Sequence, residues 1–335
     1  MTENNLQILL ASRPEGLPND SNFKHQELPV RDPEEGEVLV RVIYLSLDPA
    51  MRGWMTDRKS YVPPIGIGEL MRGLASGEVV ASRHEGFSPG DRVAGLFGWQ
   101  RFATVPGKGL EKLPPGVPLP LAMGPLGMTG MTAYFGLLDV GEPKEGETVL
   151  VSGGAGAVGS IVGQIARVKG CRVVGIAGTD DKCSWLEDDL GFDAAINYKT
   201  ANLDEAFKKT CPKGIDVYFD NVGGETLNTA LKFINRGARV VICGAISQYN
   251  ATEPVPGPSN YLSLLINRAR MEGFIIFDYQ DRFGPAQAEM LGWIQDGKIQ
   301  ARSDIVDGLE NAPQALLRLF DGSNTGKLLV QVGPE

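Results

Sequence analysis

Val149, Leu150 and Val151 form a short apolar run that leads directly into Ser152-Gly153-Gly154-Ala155-Gly156-Ala157-Val158-Gly159. Beyond it, Val158, Ile161, Val162, Ile165, Ala166 and Val168 recur at i, i+3 and i+4, the period of a helix with one buried face. Residues 172–176 return to β-type composition, so the segment reads strand, turn, helix, strand. Apolar runs at 215–220, 239–244 and 273–277 predict further strands. Helices are predicted between them at 225–233 and 285–295, and one before the first strand at 129–138. Alternation of this kind builds a doubly wound parallel sheet. The chain up to about residue 121 is different. Short β-like runs at 37–44, 77–82, 92–97 and 102–105 are separated by turn signals such as Pro33-Glu34-Glu35-Gly36 and Ser88-Pro89-Gly90-Asp91. This predicts an all-β module, with 6–11 as its first strand. The tail reads as a helix at 312–320 and a strand at 327–332 that could complete that module, making it discontinuous.

Composition narrows the class. At 335 residues the chain exceeds what one core usually supports, so two domains are expected. A net charge of −9 argues against a nucleic-acid surface. The apolar runs are too short for a membrane span, and the first residues lack the basic start of a signal peptide. A cytoplasmic protein is the expectation. The four cysteines, Cys171, Cys183, Cys211 and Cys243, show no Cys-x-x-Cys pairing, and only His25 and His84 are present. A Cys/His zinc site is therefore not expected, and a substrate would be polarised without a metal.

Gly154, Gly156 and Gly159 match Gly-x-Gly-x-x-Gly. With 43 glycines in the chain the bare match is weak, and its strand–turn–helix setting is what gives it weight. Such a turn lets the backbone approach a pyrophosphate at a helix N-terminus. Chains that bind NAD close the next strand with an acidic residue for the ribose 2′-OH. Here that strand ends at Ala177 and Gly178, and Lys182 follows shortly, which suits the 2′-phosphate of NADP. Asp180 and Asp181 fit a helix start. Asn221 and Tyr249 fall just past two later strands, where open parallel sheets bind ligands, whereas Asp220 reads as turn chemistry.

Jointly, Leu47-Asp48-Pro49-Ala50-Met51-Arg52, the run 127–137, the glycine turn, Phe219-Asp220-Asn221-Val222-Gly223-Gly224 and the run 243–250 carry a resemblance over essentially the whole chain. The sequence resembles the zinc-independent medium-chain dehydrogenase/reductases, in the group of prostaglandin reductases, alkenal double-bond reductases and curcumin reductases. The resemblance implies an α/β fold: a GroES-like β-barrel domain (1–124 and 302–335) joined to a Rossmann NADP-binding domain (125–301). It also implies NADP(H), a homodimer, and reduction of the C=C bond of α,β-unsaturated ketones or aldehydes. Residue by residue, it implies pyrophosphate contacts from Gly154, Ala155, Gly156, Ala157, Val158 and Gly159, and a 2′-phosphate clamp of Lys182 and Tyr198. Asn221 and Tyr249 then face the nicotinamide half, Phe274, Ile275 and Ile276 line its pocket, and Asn324 adds a cofactor contact. Tyr249 is the one candidate catalytic side chain, as a proton donor or enolate stabiliser, beside the nicotinamide ribose 2′-OH as another enolate donor and water as another proton source. Two departures stand out: Ala50 and Thr129 occupy positions where many relatives have tyrosine and proline. Ala50 bears on substrate range. A quinone reductase, or a non-catalytic NADPH-binding protein, is the alternative.

Overall fold

Strand Glu37–Ser46 organises the first of two units, which takes in the chain up to Met123 and returns with Ser303–Glu335. The computed structural model describes residues 4–335. Almost every side chain of this strand is buried because both of its faces are covered. Val38, Val40, Val42 and Leu45 enter one apolar cluster, while Ile43 and Tyr44 enter another with Leu119, Met123 and Leu329. The strand pairs antiparallel with Ala75–Ser82 and Phe102–Pro106 and, at its end, with Lys327–Gln331. The tail strand thus pairs into the sheet of the first unit. Seven strands make this barrel-like sheet, and Asn4–Leu10 with Phe23–Pro29 form a separate hairpin. Gly77 permits a close approach of two strands, since a Cβ there would lie 2.2 Å from the carbonyl oxygen of Arg41.

The tail strand Lys327–Gln331 is tied to the segment that follows Glu37–Ser46 by a buried ion pair. Lys327 Nζ donates to the Leu47 carbonyl (2.8 Å) and to Asp48 Oδ1 (2.9 Å), and Ser46 Oγ donates to the other Asp48 oxygen. The Lys327 side chain is only 4% exposed and that of Asp48 is 23% exposed. Removing the cation strands a carboxylate and a carbonyl. Lys327→Met is therefore expected to destabilise this unit by about 2 kcal/mol. Denaturant unfolding followed by tryptophan emission checks this, with Trp54 and Trp99 reporting on this unit and Trp185 and Trp293 on the other.

The second unit, Gly124–Arg302, holds a six-stranded parallel sheet. Along the chain its strands are Thr148–Val151, Arg172–Ala177, Ala194–Asn197, Ile215–Asp220, Ile234–Ile242 and Arg270–Gly273. In space they lie in the order 3-2-1-4-5-6, so the order reverses beside the first strand. Every side chain of Thr148–Val151 is buried, as expected for a strand covered on both faces. The sixth strand is the sheet's edge, and its side chains are exposed. Among the described residues no helix is long and apolar enough to cross a membrane.

Three elements depart from the sequence pattern. The helix expected at 129–138 is α-helical over Met128–Phe135 and continues as a wider turn over Gly136–Gly141. Thr129 opens it with its hydroxyl donating to the Gly124 carbonyl at 3.1 Å. The fifth strand starts earlier than 239 and stops at Ile242, because the N–H groups of Cys243 and Gly244 both turn to the Asp220 carbonyl. The run expected as a strand at 273–277 pairs only to Gly273, and Ile276–Arg282 winds into a 3₁₀ helix. Phe274 turns inward there. Its ring fills the space left by Gly136, where a Cβ would come within 2.5 Å, and meets the Phe219 ring edge-on at 6.5 Å. Tertiary packing overrides β-propensity at this position.

Candidate active site

The glycine turn follows from one left-handed residue and one backbone contact that only glycine tolerates. Gly153 has φ 59°, in the left-handed region. Gly154 N–H donates to the Ile176 carbonyl at 2.8 Å, which ties the turn to the end of the second strand. A Cβ on Gly159 would sit 2.3 Å from the Gly153 carbonyl oxygen. That clash would be with backbone, which cannot rotate away. Helix Gly159–Val168 starts at this glycine and presents its N-terminus to the turn.

Beside the turn lies a fully buried carboxylate. Asp220 accepts from Ser152 Oγ and Tyr218 Oη, each at 2.8 Å, and from the N–H groups of Val222 (2.9 Å) and Gly223 (3.0 Å). Ser152 Oγ in turn accepts from Asn221 N–H at 2.9 Å, and the Asn221 side-chain amide donates to the Ser152 carbonyl at 2.7 Å. Asp220 is therefore a brace between the fourth strand and the glycine turn, in line with its reading as turn chemistry. Burial, with the Asp220 charge adding to it, raises the Tyr218 hydroxyl well above its ordinary value. The same two causes push the Cys243 thiol up to about 12.

The loop after the fifth strand is bonded to the loop after the fourth. Ile246 N–H donates to the Asn221 carbonyl (3.1 Å), Ser247 N–H donates to the Val222 carbonyl (3.2 Å), and Gly223 backs closely onto Ala245. Tyr249 folds back over this loop, its Oη accepting from Ala245 N–H at 3.2 Å. On the other side of the turn, Tyr198 N–H donates to the Ala177 carbonyl at 3.1 Å, and Thr179 caps helix Asp180–Ser184, which carries Lys182.

Because all six strands run parallel, their carboxyl ends share one edge. Along that edge, in spatial order, lie Tyr198, then Lys182, the turn Gly154–Gly159, Asn221, Tyr249, and finally Phe274, Ile275 and Ile276. The structure thus gathers these sequence-selected residues on one rim, although they span more than a hundred positions. Asn324 belongs to the other unit, where it is buried and its amide donates to the Gly326 carbonyl at 3.3 Å. Asn197 and Lys199 on the same rim escaped the sequence reading. The signal for them was the short third strand, Ala194–Asn197, whose Ala-Ala-Ile-Asn composition is a weak β pattern. Among the described residues no set of three or more His, Cys, Asp or Glu side chains is gathered as a metal ion would require.

Two family models match: "N-terminal domain of oxidoreductase" over residues 6–113 and "Zinc-binding dehydrogenase" over residues 157–291. The NADPH-dependent curcumin reductase of Escherichia coli is 46% identical over 336 residues, covering 98% of this chain and 97% of that protein. The chain belongs to the zinc-independent medium-chain dehydrogenase/reductase family, in its curcumin and prostaglandin reductase group. Prostaglandin reductase 1 of Bos taurus is 43% identical over 323 residues, covering 94% of this chain and 95% of that one. The crystal structure of CurA from Vibrio vulnificus in complex with NADPH superposes with a TM-score of 0.94 at 47% identity, covering 98% and 100% of the two chains. Membership at this level makes the protein an oxidoreductase with the two-part architecture of the family, a barrel-like module and a Rossmann sheet.

Proposed function

We propose that the protein is an NADP-dependent oxidoreductase that reduces the C=C bond of α,β-unsaturated ketones and aldehydes. The observation that carries this reading is the single rim on which the glycine turn, Lys182, Tyr198, Asn221 and Tyr249 succeed one another. The names of the relatives support the cofactor and the substrate class. The residues fit the cofactor: a diphosphate needs the bare backbone approach that Gly154, Gly156 and Gly159 leave open, and a 2′-phosphate needs cations and no carboxylate at Gly178.

When bound, NADPH supplies a hydride to the β-carbon of the enone. The chain's own part is position and proton handling. Gly154 to Gly159 and the N-terminus of helix Gly159–Val168 hold the diphosphate, while Lys182 and Tyr198 take the 2′-phosphate. Asn221, fixed through Ser152 to the Asp220 brace, orients the nicotinamide half. Phe274, Ile275 and Ile276 line that side. Addition of hydride at the β-carbon pushes an electron pair toward the carbonyl oxygen, and a hydrogen-bond donor must meet that charge. Tyr249 fills this role and delivers the proton to the α-carbon, which completes addition of two hydrogens across the double bond.

The same reading makes the protein a cytoplasmic homodimer. Helix Leu262–Asn267 and the edge strand Arg270–Gly273 leave Tyr261, Leu262, Leu265, Ile266 and Met271 exposed on an unpaired sheet edge, the type of surface a second copy would cover.

The test is the loss of NADPH absorbance with an alkenal, an enone, a quinone and a saturated aldehyde, each repeated with NADH. Oxidation with the alkenal and enone, and preference for NADPH, is the expected result. Turnover of the quinone alone would move the protein to the quinone reductases. Tight NADPH binding with no turnover would make it a non-catalytic cofactor-binding protein.

A further inference from the structure

Asn197 closes the third strand and is bonded on both sides of its amide. Its Oδ1 accepts from the backbone N–H of Lys199 at 3.1 Å, and its Nδ2 donates to Asp180 Oδ1 at 2.7 Å. A backbone N–H can only donate, so the first bond fixes which end of the amide is oxygen and leaves the NH₂ group facing the carboxylate. The Asn197 carbonyl also accepts from the N–H groups of Thr200 and Ala201, which tightens the turn that carries Tyr198 and Lys199. That turn lies over Gly178. A Cβ placed on Gly178 would come within 3.2 Å of Tyr198 Cε1 and 3.4 Å of Lys199 Cε.

Asp180 sits at the first position of helix Asp180–Ser184, two residues before Lys182. It is the acidic group nearest in sequence to Gly178, where a carboxylate would select against a dianionic phosphate. One side chain thus ties down this carboxylate and positions the turn bearing Lys199. We infer that Asn197 is a positioning residue for cofactor choice, clipping the Asp180 carboxylate to the third strand while setting Lys199 beside Tyr198 as a further cation for the 2′-phosphate. This inference rests on the reading that Lys182 and Tyr198 hold that phosphate. Asn197 touches the phosphate only through the residues it holds.

The test uses binding as well as turnover. Calorimetric titration of the whole protein with 2′,5′-ADP and with AMP isolates the 2′-phosphate from the rest of the cofactor. Asn197→Ala is expected to weaken 2′,5′-ADP about tenfold and to leave AMP within twofold. Adding Asp180→Asn to that variant removes the released charge and is expected to recover at least half of the lost affinity on a logarithmic scale. Lys199→Ala in the native background should weaken 2′,5′-ADP alone, and KM for NADPH should rise with kcat held. Equal weakening of both ligands by Asn197→Ala would show a merely structural role and overturn the inference, as would an absence of recovery in the double variant. Lys182→Ala separates the two levels. If it leaves the preference for 2′,5′-ADP intact, the reading of the phosphate site itself is wrong. If it abolishes that preference while Asn197→Ala does not change it, only the role given to Asn197 fails.

Discussion

Tyr249→Phe is expected to lower kcat with an enone by about a hundredfold or more, while leaving the dissociation constant for NADPH within twofold. The substitution is clean because of how the ring is placed. Tyr249 folds over its own loop, its Oη accepting from Ala245 N–H, and that loop is held separately by bonds from Ile246 and Ser247 to the carbonyls of Asn221 and Val222. Phenylalanine keeps the ring and these anchors and removes the hydroxyl alone. The Ala245 N–H that loses its acceptor lies in a part-buried loop within reach of water, so the cost in stability is small. A fall in kcat at constant NADPH affinity then measures proton delivery or enolate stabilisation. Stopped-flow single turnover places the loss in the chemical step, and fluorescence titration gives the cofactor affinity. Turnover within threefold of the native enzyme would assign the proton to water and leave the tyrosine as a packing group.

The elements that were legible in the sequence are those whose determinants are local. The glycine turn declared itself because the left-handed Gly153 and the close backbone approach at Gly159 demand glycine, and because the helix after it shows one unbroken apolar face. Helix Asp180–Ser184 was marked by its acidic start, and Thr179 caps it. What escaped depends on contacts far apart in the chain. The aromatic, β-branched run after Gly273 has the composition of a strand, yet Phe274 is drawn into the space beside Gly136 and the sheet ends. Ala194–Asn197 is a strand because its neighbour Arg172–Ala177 supplies the ladder, although its own side chains promise little. Asn197 matters through a partner seventeen positions away, which no periodicity reports. The sequence could thus place Tyr198 near a phosphate only through resemblance, whereas the fold adds the arrangement that brings Tyr198 and Lys199 over Gly178.

That arrangement sets up the other large effect. Gly178→Asp is expected to reduce the ratio of kcat/KM for NADPH to that for NADH by about a hundredfold, chiefly through KM for NADPH. The backbone accepts the change, since Gly178 does not require a left-handed conformation and a Cβ there meets side-chain tips, 3.2 Å to Tyr198 and 3.4 Å to Lys199, rather than backbone. The new carboxylate would stand at the end of the second strand, where NAD-binding chains place the acid that accepts from the ribose 2′-OH. It would repel a dianion there and pair instead with the nearby cations. Two charge-assisted contacts worth roughly 1.5–3 kcal/mol each are at stake for NADPH, and none of them for NADH. Raised salt should narrow the native preference and leave the variant nearly unaffected, because screening acts on the exposed Lys199 charge. Steady-state kinetics with both cofactors at two ionic strengths decide the matter. An unchanged NADPH preference in Gly178→Asp would mean that the 2′-phosphate lies away from this rim, and Lys182, Tyr198 and Lys199 would lose their assigned role together.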